Sequence, residues 1–398
     1  MAVLTLISLA TGRLCAEDVY LQVEGDWKKT ESGKQLQKTF GFATGAATYG
    51  LSYDIEVPAD APAGKATSSQ WVFTTGYVPL GMPGPSNANW YVQGYFTVRL
   101  DGKTIHDVPA DFRTVRAGGE DAVVEGVWPT AKGPLTIRFG MRGGDDKLLM
   151  QVELSPETKV GRWELELRCY PHAFTEPRDR WVATASREVQ ATAAIDLDRA
   201  KEPWVLYYDK IMDGDTAKAG PCGLVYVPDE LTTAKVTVGS YPVTTRLAAK
   251  PGGRRITVGL WDFTPMNDVA LHRNYLRDSG RTIAGDVAAV ASHDWNGAVL
   301  PAAKLPESRA ELLAEQVSKR RRSTPYDEMT GEIVTPHIPW ACPLAGGPVR
   351  TLLVGQRWHQ RETVELAQRL AMDYQTVSFC ESDSVLSPCP AASMRRFR

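Results

Sequence analysis

The sequence predicts a mainly β protein: an antiparallel β-sandwich, one large or two smaller, followed by a helical linker and an incomplete β-α-β unit. Three observations predict it. From Val19 to about Pro265, apolar and polar residues alternate in short runs, the period-two pattern of strands that bury one face. Pairs such as Asp101-Gly102 stand between alternating runs, where a tight hairpin turn needs positive φ angles. Apolar residues at helical spacing are confined to the last third of the chain.

The first element is a leader. An apolar run from Ala2 to Ala10 is followed by Gly12 and by Ala16, just before Glu17 and Asp18. Residues 1–16 therefore read as a secretory signal peptide cut after Ala16. No Lys or Arg precedes the run, and Leu14 stands where a small residue is usual. The competing reading is a first strand, a role Val19 to Val23 fills better. No segment approaches the ~20 apolar residues of a membrane-spanning helix. The expected location is secreted or periplasmic, with no membrane span.

Residues 17–265 form the β-sandwich region. In GRWELELRCYP, Trp163, Leu165, Leu167 and Cys169 face one way, while Arg162, Glu164, Glu166 and Arg168 face the other. LLMQVEL repeats the pattern with Leu148, Met150, Val152 and Leu154, and RITVGLW with Ile256, Val258 and Leu260. The Gly143-Gly144-Asp145-Asp146 stretch predicts a second hairpin turn. One-sided strands joined by hairpins belong to antiparallel sheets packed face to face. The Pro- and Gly-rich VPLGMPGPSNANW reads as a long loop with Trp90 and Tyr91 at its exit.

Residues 266–348 are a helical and proline-rich connector. Val269, Leu271, His272, Tyr275 and Leu276 fall at helical spacing after the capping candidates Asn267 and Asp268. ESRAELLAEQVSKRRRS predicts a second helix with Leu312, Leu313 and Val317 as its stripe. Five prolines between Pro325 and Pro348 mark a boundary.

Residues 349–398 open an α/β unit: a strand at Thr351–Val354, a helix striped by Val364, Ala367, Leu370 and Ala371, and a strand at Thr376–Phe379. A parallel sheet is normally covered on both faces, so this unit reads as the opening of a larger domain, with CESDSVLSPCPAASMRRFR as a truncated or frameshifted end.

Charge and motif content narrow the function. The 398 residues carry 45 Lys and Arg against 47 Asp and Glu, a net charge of -2, which gives no basic field for nucleic acid. After Cys15 the cysteines are Cys169, Cys222, Cys342, Cys380 and Cys389. That odd, scattered set is no disulfide framework, although Cys169 and Cys222 could pair in an oxidising compartment. The histidines His106, His172, His272, His293, His337 and His359 never fall at i, i+2 or i, i+4, which removes the commonest zinc signatures. Asp213-Gly214-Asp215 lacks the further oxygens of a calcium loop. GQRWHQRE is neither a dinucleotide fingerprint nor a Walker loop. The sequence therefore predicts no metal site and no cofactor.

The densest polar and aromatic cluster is CYPHAFTEPRDRW, a loop after the strand that ends at Cys169. It brings His172, Arg178, Asp179, Arg180 and Trp181 to a sandwich rim, where function concentrates. WVLYYDKIMD adds Tyr207, Tyr208 and Asp209, and LWDF adds Trp261 and Asp262. Sugars are held by aromatic rings against their C–H faces and by charged or amide groups on their hydroxyls. These ten residues are the candidate carbohydrate-binding set. The competing reading makes the tryptophans core residues, because strands bury Trp routinely.

The phrases LRCYPHAF, RWVATASREV, GPCGLVYVP and LWDF, in that order, resemble uncharacterised exported bacterial proteins. The resemblance implies a sandwich similar to galactose-mutarotase-like or carbohydrate-binding sandwiches. It also implies that VRTLLVGQRWHQRETVELAQRLAMDYQTVSF opens a domain similar to flavodoxin-like or class I glutamine-amidotransferase-like folds. No catalytic residue follows from it. Three functions stand at this point: an exported accessory protein that binds or helps process a polysaccharide or glycan; a polysaccharide lyase or glycoside hydrolase drawing acid and base from His172, Asp179, Asp209 or Asp262; and a structural or assembly module without a small ligand.

Overall fold

A computed structural model describes residues 19–24, 27–30, 33–43, 48–58, 68–75, 95–105, 109–143, 145–169, 180–190, 194–209, 221–239, 242–262, 269–303, 351–353, 376–380 and 387–388. Five strands open the chain: β1 (Val19–Glu24), β2 (Trp27–Thr30), β3 (Gly33–Ala43), β4 (Thr48–Pro58) and β5 (Ser68–Thr75). A short pair follows, β6 (Phe96–Leu100) and β7 (Lys103–Thr104), then β8 (Asp111–Gly119), β9 (Asp121–Thr130), β10 (Gly133–Arg142), β11 (Leu148–Leu154) and β12 (Trp163–Cys169). Next come β13 (Arg180–Thr184), β14 (Glu188–Gln190), β15 (Ala194–Asp196), β16 (Trp204–Asp209) and β17 (Cys222–Tyr226). β18 (Leu231–Val238), β19 (Val243–Ala249) and β20 (Arg255–Asp262) complete the series before the helix α1 (Val269–Ala291).

These strands make two sheets. The larger has 14 strands in the order β14-β13-β16-β17-β20-β11-β10-β9-β8-β1-β3-β4-β5, with β2 paired to β3. The smaller has six, β15-β18-β19-β12-β6-β7. The pairings within both are antiparallel. The expected sandwich is therefore what forms, as one extended structure. The inner faces meet in a core of Phe96, Val98, Ile137, Phe139, Met150, Val152, Leu165, Leu167, Leu224, Leu247, Val258 and Leu260.

The alternating runs behave as their periodicity demands. Trp163, Leu165, Leu167 and Cys169 all point into the inter-sheet core, as do Leu148, Met150, Val152 and Leu154. The turn at Asp101-Gly102 takes φ of 50° and 84°, the two left-handed positions of a tight hairpin between β6 and β7. The second expected turn also joins two paired strands, β10 and β11.

The larger sheet has a second core on its outer face. There α1 lays Tyr275, Leu276, Ile283, Val287, Val290 and Ala291 against Trp204, Leu206, Tyr208, Val225 and Trp261, with Trp295 and Leu300 beyond the helix end. Two glycines permit this close approach. A Cβ at Gly280 would lie 2.2 Å from Trp204 Nε1, and one at Gly140 would lie 2.6 Å from the Trp295 ring.

This outer core departs from the sequence reading. One-sided strands were expected throughout, but β16, β17 and β20 are covered by the smaller sheet on one face and by α1 on the other. Strands buried on both faces read as continuous apolar runs, and WVLYY and CGLVY are such runs.

Towards the C-terminus, β21 (Thr351–Leu353) and β22 (Thr376–Cys380) pair in parallel, and β23 (Ser387–Pro388) adds to β22 antiparallel. The second connector helix and the helix between β21 and β22 lie outside the described residues, as do Trp90, Tyr91 and residues 1–16.

Candidate functional site

Pairing register gathers several predicted residues at one end of the sandwich. Arg180 opens β13 opposite Asp209, the last residue of β16. Tyr207 pairs with Cys222, which opens β17, and Cys222 pairs in turn with Asp262, the last residue of β20. Four adjacent strands thus finish or begin together. Adjacent strands lie about 4.8 Å apart, and a two-residue offset adds about 7 Å along the strand, so the Asp209 and Asp262 backbones stand on the order of 12 Å apart. Cys169 ends β12 opposite Val243 at the same end, and Arg180 Nη1 donates to the Gly239 carbonyl there. The side chains of Asp209 and Asp262 lie outside the described residues, and so do His172, Arg178 and Asp179.

The remaining members of the predicted set occupy different environments. Tyr207 is 0% exposed within the inter-sheet core, where its hydroxyl shares a 2.5 Å hydrogen bond with Thr245 Oγ1. Burial pushes its phenol well above the ordinary value, and the neighbouring Cys169 adds to the rise. Tyr208 is 1% exposed beneath α1 and donates its hydroxyl proton to Glu188. Trp261 is 0% exposed in the same outer core, its indole N–H donating to Asp146 Oδ1 at 3.1 Å. Arg180 is 2% exposed. These four offer no face to a sugar; the Trp-and-Tyr signal at these positions marks two-sided burial. Trp181 is half-buried against the outer core. Cys169 and Cys222 are both buried, and no disulfide joins them to each other.

One feature at this end escaped sequence reasoning. Arg142, Asp145, Lys147 and Asp286 form a buried charge quartet between the larger sheet and α1. Arg142 holds Asp286 through both guanidinium tips, at 3.0 and 2.6 Å. Its Nε and Nη2 also donate to Asp145 Oδ2, at 3.0 and 2.6 Å. Lys147 Nζ reaches Asp145 Oδ1 at 2.5 Å and Asp286 Oδ2 at 3.7 Å. The neighbouring Asp146 takes the Trp261 indole and, at 3.3 Å, the Tyr275 hydroxyl of α1. Two cations balance the Asp145 and Asp286 carboxylates within the quartet.

Burial raises the cost of ionising Asp145, yet Lys147 and Arg142 hold its carboxyl well below the usual range. Burial likewise opposes the charge of Arg142, and Asp145 and Asp286 outweigh it and raise its value. An acid so strongly paired is no proton donor near neutrality. Its work is to fasten α1 to the sheet. The signal in the sequence was Gly143-Gly144-Asp145-Asp146, read as a hairpin turn; its partner Asp286 lies far along the chain.

Among the described residues, no group of three His, Cys, Asp or Glu side chains converges to hold a metal ion, and no helix is long and apolar enough to cross a membrane.

No protein-family model matches the sequence, and neither does any curated protein. Solved structures show a distant likeness. A GH36 alpha-galactosidase from Geobacillus stearothermophilus is 13% identical over 61% of this chain and 42% of its own, with a TM-score of 0.29. The alpha-galactosidase from Lactobacillus brevis is 11% identical over 62% of this chain and 42% of its own, at 0.31. An alpha-N-acetylgalactosaminidase from Bifidobacterium bifidum is 10% identical over 67% and 41%, at 0.33. The chain spans less than half the length of these proteins. The three structures it is similar to are carbohydrate-active enzymes, and a likeness this distant assigns neither family nor reaction.

Proposed function

We propose that the chain is an exported carbohydrate-binding or carbohydrate-processing accessory protein, which takes a polysaccharide or glycan at the sandwich end formed by β13, β16, β17 and β20. The observation that supports this reading is the register: it draws the ends of the strands carrying Arg180, Asp209 and Asp262 onto four neighbouring strands. The segment with His172, Arg178 and Asp179 runs between Cys169 and Arg180, which both belong to that end. Loops positioned by a rigid scaffold are the usual carriers of binding. The quartet and the double core supply that rigidity.

The contacts proposed are His172, Arg178, Asp179, Trp181, Asp209 and Asp262; Arg180, Tyr207, Tyr208 and Trp261 are buried. The lyase or glycosidase reading gains less. Asp145, Asp146 and Asp286, carboxylates near this end with described side chains, are each engaged by Arg, Lys, Trp or Tyr. Affinity electrophoresis through neutral and acidic polysaccharides tests the proposal, using wild type and His172→Ala, Arg178→Ala and Asp209→Ala variants. Retardation lost in these variants supports it; a wild type that migrates unretarded through every gel rejects it.

A further inference from the structure

The opposite end of the sandwich holds a cleft of about 290 Å³, lined by the loop at 158–162, the start of β12, Thr232, Thr233 and the turn at 250–254. Its size lies near the bottom of the ~300–1,000 Å³ span of small-molecule sites. Three cations line it, Arg162, Lys250 and Arg254, and among the described residues no carboxylate does. Thr158, Thr232 and Thr233 also line it, and the Thr232 hydroxyl donates to the Ala249 carbonyl at 3.2 Å. Arg162 and Lys250 are exposed, Arg254 is half-buried, and among the described residues none of the three is ion-paired to an acid. Asp101, which caps the backbone N–H groups of Gly161 and Arg162 beside the cleft, is committed to Lys132 Nζ at 2.9 Å.

The walls are held before any ligand arrives. Arg254 donates from Nε to the Leu154 carbonyl at 3.2 Å and from Nη2 to that of Thr158 at 3.4 Å. Leu154 N–H returns a bond to the Arg254 carbonyl at 2.8 Å. The Trp163 indole ties the turn to the smaller sheet by donating to the Gly253 carbonyl at 2.7 Å. Thr158 Oγ1 donates to the Pro134 carbonyl at 2.6 Å. Preorganised walls reduce the ordering cost of binding.

Cations without an acid partner among the described residues, set in the wall of a small and otherwise largely apolar cleft, attract a compact anion, because guanidinium and ammonium groups make charge-assisted bonds to oxyanions. A neutral sugar is served poorly: Trp163 is only 4% exposed and its indole N–H is already bonded, so no ring face is open for stacking. Nucleic acid is disfavoured by the net charge of -2 and by the cleft's small size.

We infer that this cleft binds the oxyanion group of a small ligand, the carboxylate of a uronate sugar or a sulfate ester, held by Arg162, Lys250 and Arg254. This second site lies away from the glycan end proposed above and stands on its own geometry.

Calorimetric titration of the full chain tests it with galacturonate, galactose 6-sulfate, inorganic sulfate and galactose. The expected result is millimolar-range binding of at least one anion, none of galactose, and a loss of about tenfold in affinity for Arg162→Gln and for Lys250→Gln. Arg254→Gln should abolish binding but also removes two bonds within the wall, so the two surface variants carry the test. Affinity for the uronate assigns the carboxylate source, and affinity for the sulfated sugar assigns the ester. Sulfate alone binding as well as its sugar ester shows that the anion provides the recognition. The inference is overturned if no anion binds at concentrations on the order of 10 mM, or if binding survives unchanged in both surface variants. Loss of glycan retardation at the other end leaves these outcomes untouched.

Discussion

Two glycines on one helix should respond to alanine with opposite signs. Gly280 and Gly285 both lie within α1, where replacing Gly by Ala stabilises a helix by up to about 1 kcal/mol. At Gly285 nothing lies within 4 Å of an added Cβ, so the gain should appear almost whole, as a higher urea midpoint with an unchanged slope. At Gly280 the added Cβ meets Trp204 Nε1 at 2.2 Å and Cδ1 at 2.3 Å. Ordinary carbon contacts need ~3.5 Å or more, so the helix or the indole must retreat by over 1 Å. Trp204 is 1% exposed and has no room to turn. Retreat of the helix also stretches the Arg142–Asp286 bonds, which are 2.6 and 3.0 Å long. Overpacking of this kind costs about 1–3 kcal/mol, which exceeds the propensity gain. Gly280→Ala should lower stability by about 1–2 kcal/mol while Gly285→Ala raises it. Two midpoints raised alike would refute the close packing of α1 on Trp204.

Asp286→Asn leaves Arg142 and Lys147 facing a single charged carboxylate and should cost about 3–5 kcal/mol in urea unfolding; a loss below about 1 kcal/mol would show that the quartet is hydrated. Asp145 has a depressed carboxyl value in the folded chain, so its contribution is complete above the unfolded value of about 3.9 and is lost as pH falls from there through the folded value. Acid unfolding in that window should therefore flatten in an Asp145→Asn variant, and an unchanged acid limb would contradict the pairing. Intact-mass analysis of protein exported by a bacterial host should give a chain beginning at Glu17; a mass retaining residues 1–16 in an exported fraction would remove the leader.

Where burial is one-sided, the sequence was easy to read. β12 alternates cleanly because charged residues paired with one another occupy one side, and its inner positions followed from period alone. Asp101-Gly102 was equally legible because its chemistry is local. The outer core was not, because α1 covers residues far away in the chain and turns Tyr208 and Trp261 from apparent rim contacts into buried ones. Aromatic-plus-acid composition describes both a sugar platform and a buried Trp bonded to Asp, and only the covering element separates them. The charge quartet was hidden for the same reason: Asp286 is 144 residues from Arg142. The cationic cleft joins a loop before β12 to a turn before β20, a pairing that period and spacing do not report.

Glycan binding by the full chain is the measurement that bears most directly on the account. On an array of neutral and acidic glycans, the account predicts specific binding that His172→Ala and Arg178→Ala abolish and that Arg162→Gln leaves in place for neutral glycans. Absence of glycan binding by a correctly folded wild type, or binding that persists in both loop variants, would contradict it.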